Sequence, residues 1–237
     1  MDLISSLAVI TLAALIHASF QLSVSVLLLL SGHSLGSRHS HLRLMRLTTS
    51  FVIGAGTMTA LLLTFVSFVL QNLFGSDAPQ IVWAMACGIM FGVAVSVWLF
   101  YYRHEKGTTT WLPRNIADYL SHRTKATKLS GEAFGLGLTS VIGELLFILA
   151  PIGASALALI QLPGAWKLVG VAIYVIISML SLILVWVLIG GGRKIADVQR
   201  WRETNKNFLQ FSAGAGLLIL GIFMYTTQIA GLNLVIK

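Results

Sequence analysis

The chain has 237 residues, 57% of them hydrophobic and only 10% charged, with a mean hydropathy of +0.87. Soluble domains carry about 25% charged residues, so this composition excludes an ordinary globular domain in water and makes the lipid bilayer the first partner. A net charge of +8 would invite a nucleic-acid reading in a soluble protein, but here the basic residues sit in short stretches between apolar runs. The positive-inside bias of membrane proteins accounts for them, and no nucleic-acid partner is expected.

Six apolar runs, at residues 3–31, 48–73, 80–102, 132–160, 166–191 and 209–235, each reach or exceed the roughly 20 residues that span hydrocarbon. The expected fold is all-α: a polytopic membrane protein of six transmembrane helices, one membrane domain over 1–237. Its halves, 1–102 and 132–237, are joined by a basic amphipathic connection, 103–131.

The first run follows Asp2 and has no Lys or Arg before it, unlike a cleaved secretory signal, so it is expected to remain as a helix. His17 and Gln21 lie four residues apart on one helix face of this run. An imidazole and an amide there can bind a polar solute, relay a proton or hydrogen-bond another helix. Next come His33, His39 and His41, with no Asp, Glu or Cys among them, which read as solvent-facing loop histidines rather than a metal site. The third run holds Cys87, the single cysteine, so an internal disulfide and a Cys-x-x-Cys redox pair are excluded.

In the long connection, Trp111, Leu112, Ile116, Tyr119 and Leu120 fall near helical spacing after Pro113, beside Arg114, Arg123 and Lys125. This spacing predicts an amphipathic helix on the cytoplasmic interface, serving as an anchor or a docking element. All Lys and Arg except Lys167 and Lys237 fall in the first, third and fifth connections. That asymmetry puts these connections in the cytoplasm and both termini outside, in a bacterial cytoplasmic membrane. Three spans on each side of the long connection would make the halves an inverted repeat if they share a fold.

The fourth run carries the strongest signal. Glu144 lies near its middle, and a carboxylate at that depth is costly unless it faces the bundle interior or a water-filled cavity. It serves there either in ion coupling and proton relay or as a neutral acid tying two helices together. Ser140, one turn earlier, joins it as a candidate ligand. Gly131, Gly135, Thr139 and Gly143 recur every four residues, which predicts a stripe for close helix packing. Pro151 removes the backbone donor to the Phe147 carbonyl, which predicts a kink about two turns past Glu144. Thr226, Thr227 and Gln228 in the last run either line an exit path or reach the interface.

The pattern Glu132-Ala-Phe-Gly-Leu-Gly-Leu138, with a proline later in that run, and the ending Phe211-Ser-Ala-Gly-Ala-Gly-Leu-Leu-Ile-Leu-Gly221 resemble a superfamily of six-helix membrane proteins. It contains the lysine exporters, the nickel and cobalt exporters, and the cytochrome c biogenesis and thiol-disulfide transporters. The resemblance implies a three-plus-three inverted repeat and movement of a small solute, ion or reducing equivalents. The thiol branch would need a cysteine in the first and fourth helices, and neither run has one. The metal-exporting branch would show a histidine, an acid and a second histidine in the first helix, where this chain has His17 with Gln21 nearby.

These readings converge on a permease that moves a small cation or polar metabolite, coupled to protons, with Glu144, His17, Gln21 and Ser140 as binding residues and Gly135, Gly143 and Pro151 as packing and hinge positions. No cofactor is implied, and no metal is assigned. The alternative is a non-transporting scaffold or assembly factor that docks a cytoplasmic partner or a second copy of itself. Neither paired catalytic carboxylates nor a nucleophile elbow nor an HExxH motif occurs, so an enzyme is not expected.

Overall fold

A computed structural model describes residues 2–20, 22–35, 41–100 and 114–231, which form ten α-helices and no strands. In chain order these are α1 (Leu3–Ser19), α2 (Leu22–Leu35), α3 (His41–Phe74), α4 (Gln80–Phe100), α5 (Arg114–Ala126), α6 (Ser130–Gly143), α7 (Leu145–Ile160), α8 (Gly164–Ser178), α9 (Leu180–Gly190) and α10 (Ile195–Gln228). Among the described residues, α3, α4 and α10 are each long and apolar enough to cross a membrane. The count reaches six if each of three bent pairs is one span: α1 with α2 (44°), α6 with α7 (81°) and α8 with α9 (50°). Three of the six apolar runs are thus broken helices, which hydropathy alone does not reveal.

Both 34-residue helices, α3 and α10, extend about 50 Å at 1.5 Å per residue, well beyond the roughly 30 Å of hydrocarbon. Their extra turns carry Arg43 and Arg46, and Arg200, Arg202 and Lys206, so much of the basic sequence expected in loops is helical. The long connection contains α5, where Leu120 is buried and Tyr119 exposed, and α5 packs on α2 and α6. Trp111, Leu112 and Pro113 lie outside the described residues, as do Gln21 and His39.

α7 is buried along most of its length, from Phe147 to Ile160, and packs against α1, α3 and α4. A helix apolar on all sides belongs at the centre of a bundle, and α1 and α7 form that centre. The outer faces of α3 and α4 present Phe65, Phe68, Leu73, Ile81 and Met85, a large apolar surface that suits lipid rather than water. At the edges, Asp2 caps α1 by accepting from the Ser5 amide (3.3 Å), and hydrogen bonding from Ser5 holds its carboxyl below the ordinary carboxylate range. Glu132 accepts from the Lys128 (2.8 Å) and Leu129 (3.1 Å) amides at the start of α6.

The closest helix crossing, α3 against α6, depends on two glycines. A methyl added at Gly137 would lie 2.2 Å from the Phe51 carbonyl oxygen, and one at Gly54 would lie 2.2 Å from that of Phe134. The expected stripe is on a different face: a methyl at Gly131 or Gly135 would meet nothing within 4 Å. Gly137 is two residues out of the four-residue register that the stripe follows, on nearly the opposite side of α6, and this turns it toward α3. In the second tight pair, Gly214 and Gly221 of α10 accept the Trp98 and Phe91 rings of α4. There the Trp98 indole N–H donates to the Phe211 carbonyl (3.2 Å) and the Gln210 amide donates to the Val97 carbonyl (2.6 Å). Thr226 and Thr227 return their hydroxyls to the Phe223 carbonyl of their own helix.

Gly137→Ala forces two backbones apart and is expected to lower stability by about 1–3 kcal/mol, whereas Gly135→Ala is neutral or stabilising by up to about 1 kcal/mol. Equilibrium unfolding of both variants in detergent micelles checks the contrast, and equal effects would contradict the packing assignment.

Candidate functional site

Three helix breaks converge on one point. α6 ends and α7 begins at Glu144, whose backbone (φ −87°, ψ −4°) sits at the edge of the right-handed helical region. The Glu144 amide reaches back to the Val141 carbonyl (3.1 Å), and its own carbonyl accepts from the Phe147 (2.9 Å) and Ile148 (3.1 Å) amides. Met179, between α8 and α9, adopts nearly the same conformation (φ −85°, ψ −2°). Beside it, Ser178 returns its hydroxyl to the Val175 carbonyl (3.1 Å), a bond known to bend helices. α1 stops at Phe20, which is extended (φ −76°, ψ 143°) and whose amide donates to the His17 carbonyl (3.0 Å).

The expected kink two turns past Glu144 is therefore displaced: the 81° bend falls at Glu144 itself, and α7 remains helical through the buried Pro151. A proline in a transmembrane helix is tolerated where neighbouring helices enclose it. The sharper constraint is the Glu144 side chain, which is committed to another helix. Gly143 is the last residue of α6, directly before the break.

The Glu144 carboxylate caps α2. Its Oε1 accepts from the backbone amides of Leu22 and, at 3.1 Å, Ser23, the first two residues of that helix. Its Oε2 lies 3.4 Å from the Ser23 hydroxyl. Helix starts leave amides unpaired and carry partial positive charge, so a carboxylate satisfies both. The serines extend this cluster: Ser140 donates its hydroxyl hydrogen to the Gly137 carbonyl (2.8 Å), and its oxygen is 3.2 Å from Ser23 Oγ. With Ser140's only hydrogen committed, Ser23 shares its own between Ser140 and Glu144.

His17, in the last turn of α1, meets a different partner. Its Nδ1 is 3.0 Å from the Tyr174 hydroxyl of α8, and both side chains are buried. No direct hydrogen bond joins His17 to Glu144, but both line the same cavity. That cavity has a volume of about 20 Å³, and Ser23, Thr59, Ser178 and Ser181 also line it. Its volume holds about one water or one small ion. Ser181 also donates to the Ala18 carbonyl (2.5 Å), tying the end of α1 to α9.

Of the four binding residues expected from sequence, Glu144 and Ser140 are joined through Ser23, His17 shares the cavity, and Gln21 lies outside the described residues. Ser23, Tyr174 and Ser181 escaped attention, because hydroxyls in apolar runs are commonplace and only the breaks reveal which of them converge. Arg202, counted among loop cations, is buried in α10 and donates from Nη2 to the Ser25 hydroxyl of α2 (2.9 Å). No group of three or more His, Cys, Asp or Glu that would hold a metal occurs among the described residues.

The His17–Tyr174 pair is expected to contribute about 1 kcal/mol of coupling, the usual scale for a buried neutral hydrogen bond. A double-mutant cycle with His17→Phe and Tyr174→Phe, read by unfolding in detergent, measures it; strictly additive effects would remove the pairing.

Comparison of the chain with protein-family models, curated proteins and solved structures finds no match.

Proposed function

We propose that this protein is a membrane permease that moves a small cation, coupled to protons through Glu144. The observation that carries the reading is a buried carboxylate at the meeting point of three broken helices, beside a cavity sized for one water or ion. Broken helices whose ends face a polar centre are the usual way secondary transporters build a substrate site within the bilayer. The volume argues for an ion or proton over a larger metabolite, which would require the three breaks to part. In this reading the first, third and fifth connections face the cytoplasm of a bacterial cell and both termini lie outside. The two halves form an inverted repeat, each opening with a broken pair, α1 with α2 and α6 with α7.

One observation favours a second reading, a scaffold that binds a partner and transports nothing. Both Glu144 oxygens already have donors within the chain, so the carboxylate can serve as a static stitch between α6 and α2. The readings differ in what protonation does. Glu144→Gln keeps an acceptor oxygen for the α2 amides and removes the titratable group.

In proteoliposomes loaded with a pH-sensitive dye and offered monovalent and divalent cations, wild type is expected to move protons in response to at least one cation. Glu144→Gln is expected to reduce that flux by about 10²-fold or more, the scale of losing a positioned proton-transfer group, without loss of folded protein. Undiminished flux in the variant would sink the coupling role, and silence of wild type across the panel would favour the scaffold.

A further inference from the structure

A second, larger pocket lies between α9 and α10, with a volume of about 430 Å³, within the 300–1,000 Å³ usual for ligand sites. Its walls are apolar, from Leu184, Val185 and Leu188 of α9 and Leu209 of α10. Its charged residues are Arg193, Arg202 and Asp197, two cations against one anion. Leu184 and Trp201 on its rim are exposed, so it opens sideways from the bundle. An apolar trough beside a net-positive group suits a molecule with a hydrocarbon tail and a negative head. A tryptophan at the rim is also the residue that favours the boundary between hydrocarbon and headgroups.

We propose that this pocket is a binding site for an anionic membrane lipid, its acyl chain along α9 and its headgroup against Arg193 and Arg202. Basic pockets between membrane helices on the cytoplasmic side are known to recognise anionic headgroups. The buried Arg202 is held in place by the Ser25 hydroxyl of α2, so the cationic end of the pocket is anchored to the helix that Glu144 caps. Ser181 lines both this pocket and the Glu144 cavity. A bound lipid therefore sits one side chain away from the three breaks. The assignment is independent of whether the protein transports anything.

Native mass spectrometry tests it on the full chain purified with an equimolar mixture of phosphatidylglycerol and phosphatidylcholine. Wild type is expected to retain phosphatidylglycerol preferentially. Arg193→Gln, which removes one cation, is expected to reduce that retention about fivefold, near the effect of one basic residue at an anionic surface, and Leu184→Trp, which fills the mouth, is expected to reduce it as well. Both positions avoid the buried Arg202, whose loss would endanger folding. Equal retention of the two lipids, or an undiminished preference in either variant, would overturn the proposal.

Discussion

A carboxylate buried in a membrane protein must be given hydrogen-bond donors, and the start of a helix buried there must be given an acceptor. In this chain the two needs cancel: Glu144 supplies the acceptor and α2 supplies the donors. Much of the surrounding architecture follows. For α2 to present its amides to Glu144, the first apolar run must break near Phe20; for Glu144 to reach them, the fourth must break at Glu144. Each broken half is shorter than the bilayer is thick, so neither half of the α6–α7 pair, 14 and 16 residues long, spans it alone.

The close crossings hold those breaks in register. Between membrane helices there is no hydrophobic gain from leaving lipid, so association depends on backbone proximity and interhelical hydrogen bonds. Gly54 and Gly137 bring α3 within backbone contact of α6, three residues ahead of Ser140, while Gly214 and Gly221 seat the aromatic rings of α4 on α10. The site and the tightest packing thus share a helix. Substitutions at Gly137 that widen the crossing will be felt at Ser140 and Glu144 before they are felt elsewhere.

How much of this was legible in the sequence depended on the kind of signal. Apolar run length finds the apolar helices, three of them long enough to cross a membrane and up to six spans if each bent pair is one, and the depth of Glu144 within its run marks it as costly. Run length carries no information about breaks, because a broken span and a continuous one have the same composition. The sequence points to a kink near Pro151, since proline is the residue with a known local effect on helices, and the bend lies at Glu144 instead. The residue at the bend makes a tertiary bond to one 122 positions away, which no local pattern encodes. Small residues at four-residue spacing likewise do not say which of them meets another helix of the chain: the position of α3 selects Gly137 over Gly135. Arg202 was assigned to a loop because the apolar run starts after it, although the helix does not.

The central claim is that Glu144 holds the start of α2 in place, and amide hydrogen exchange in lipid nanodiscs tests it at the bond itself. The Leu22 and Ser23 amides of wild type should be protected. In Glu144→Ala they should exchange about fivefold to thirtyfold faster, matching the roughly 1–2 kcal/mol of a lost helix cap, while amides in α4 and α10 are unchanged. Equal protection of Leu22 and Ser23 in both proteins would contradict the account.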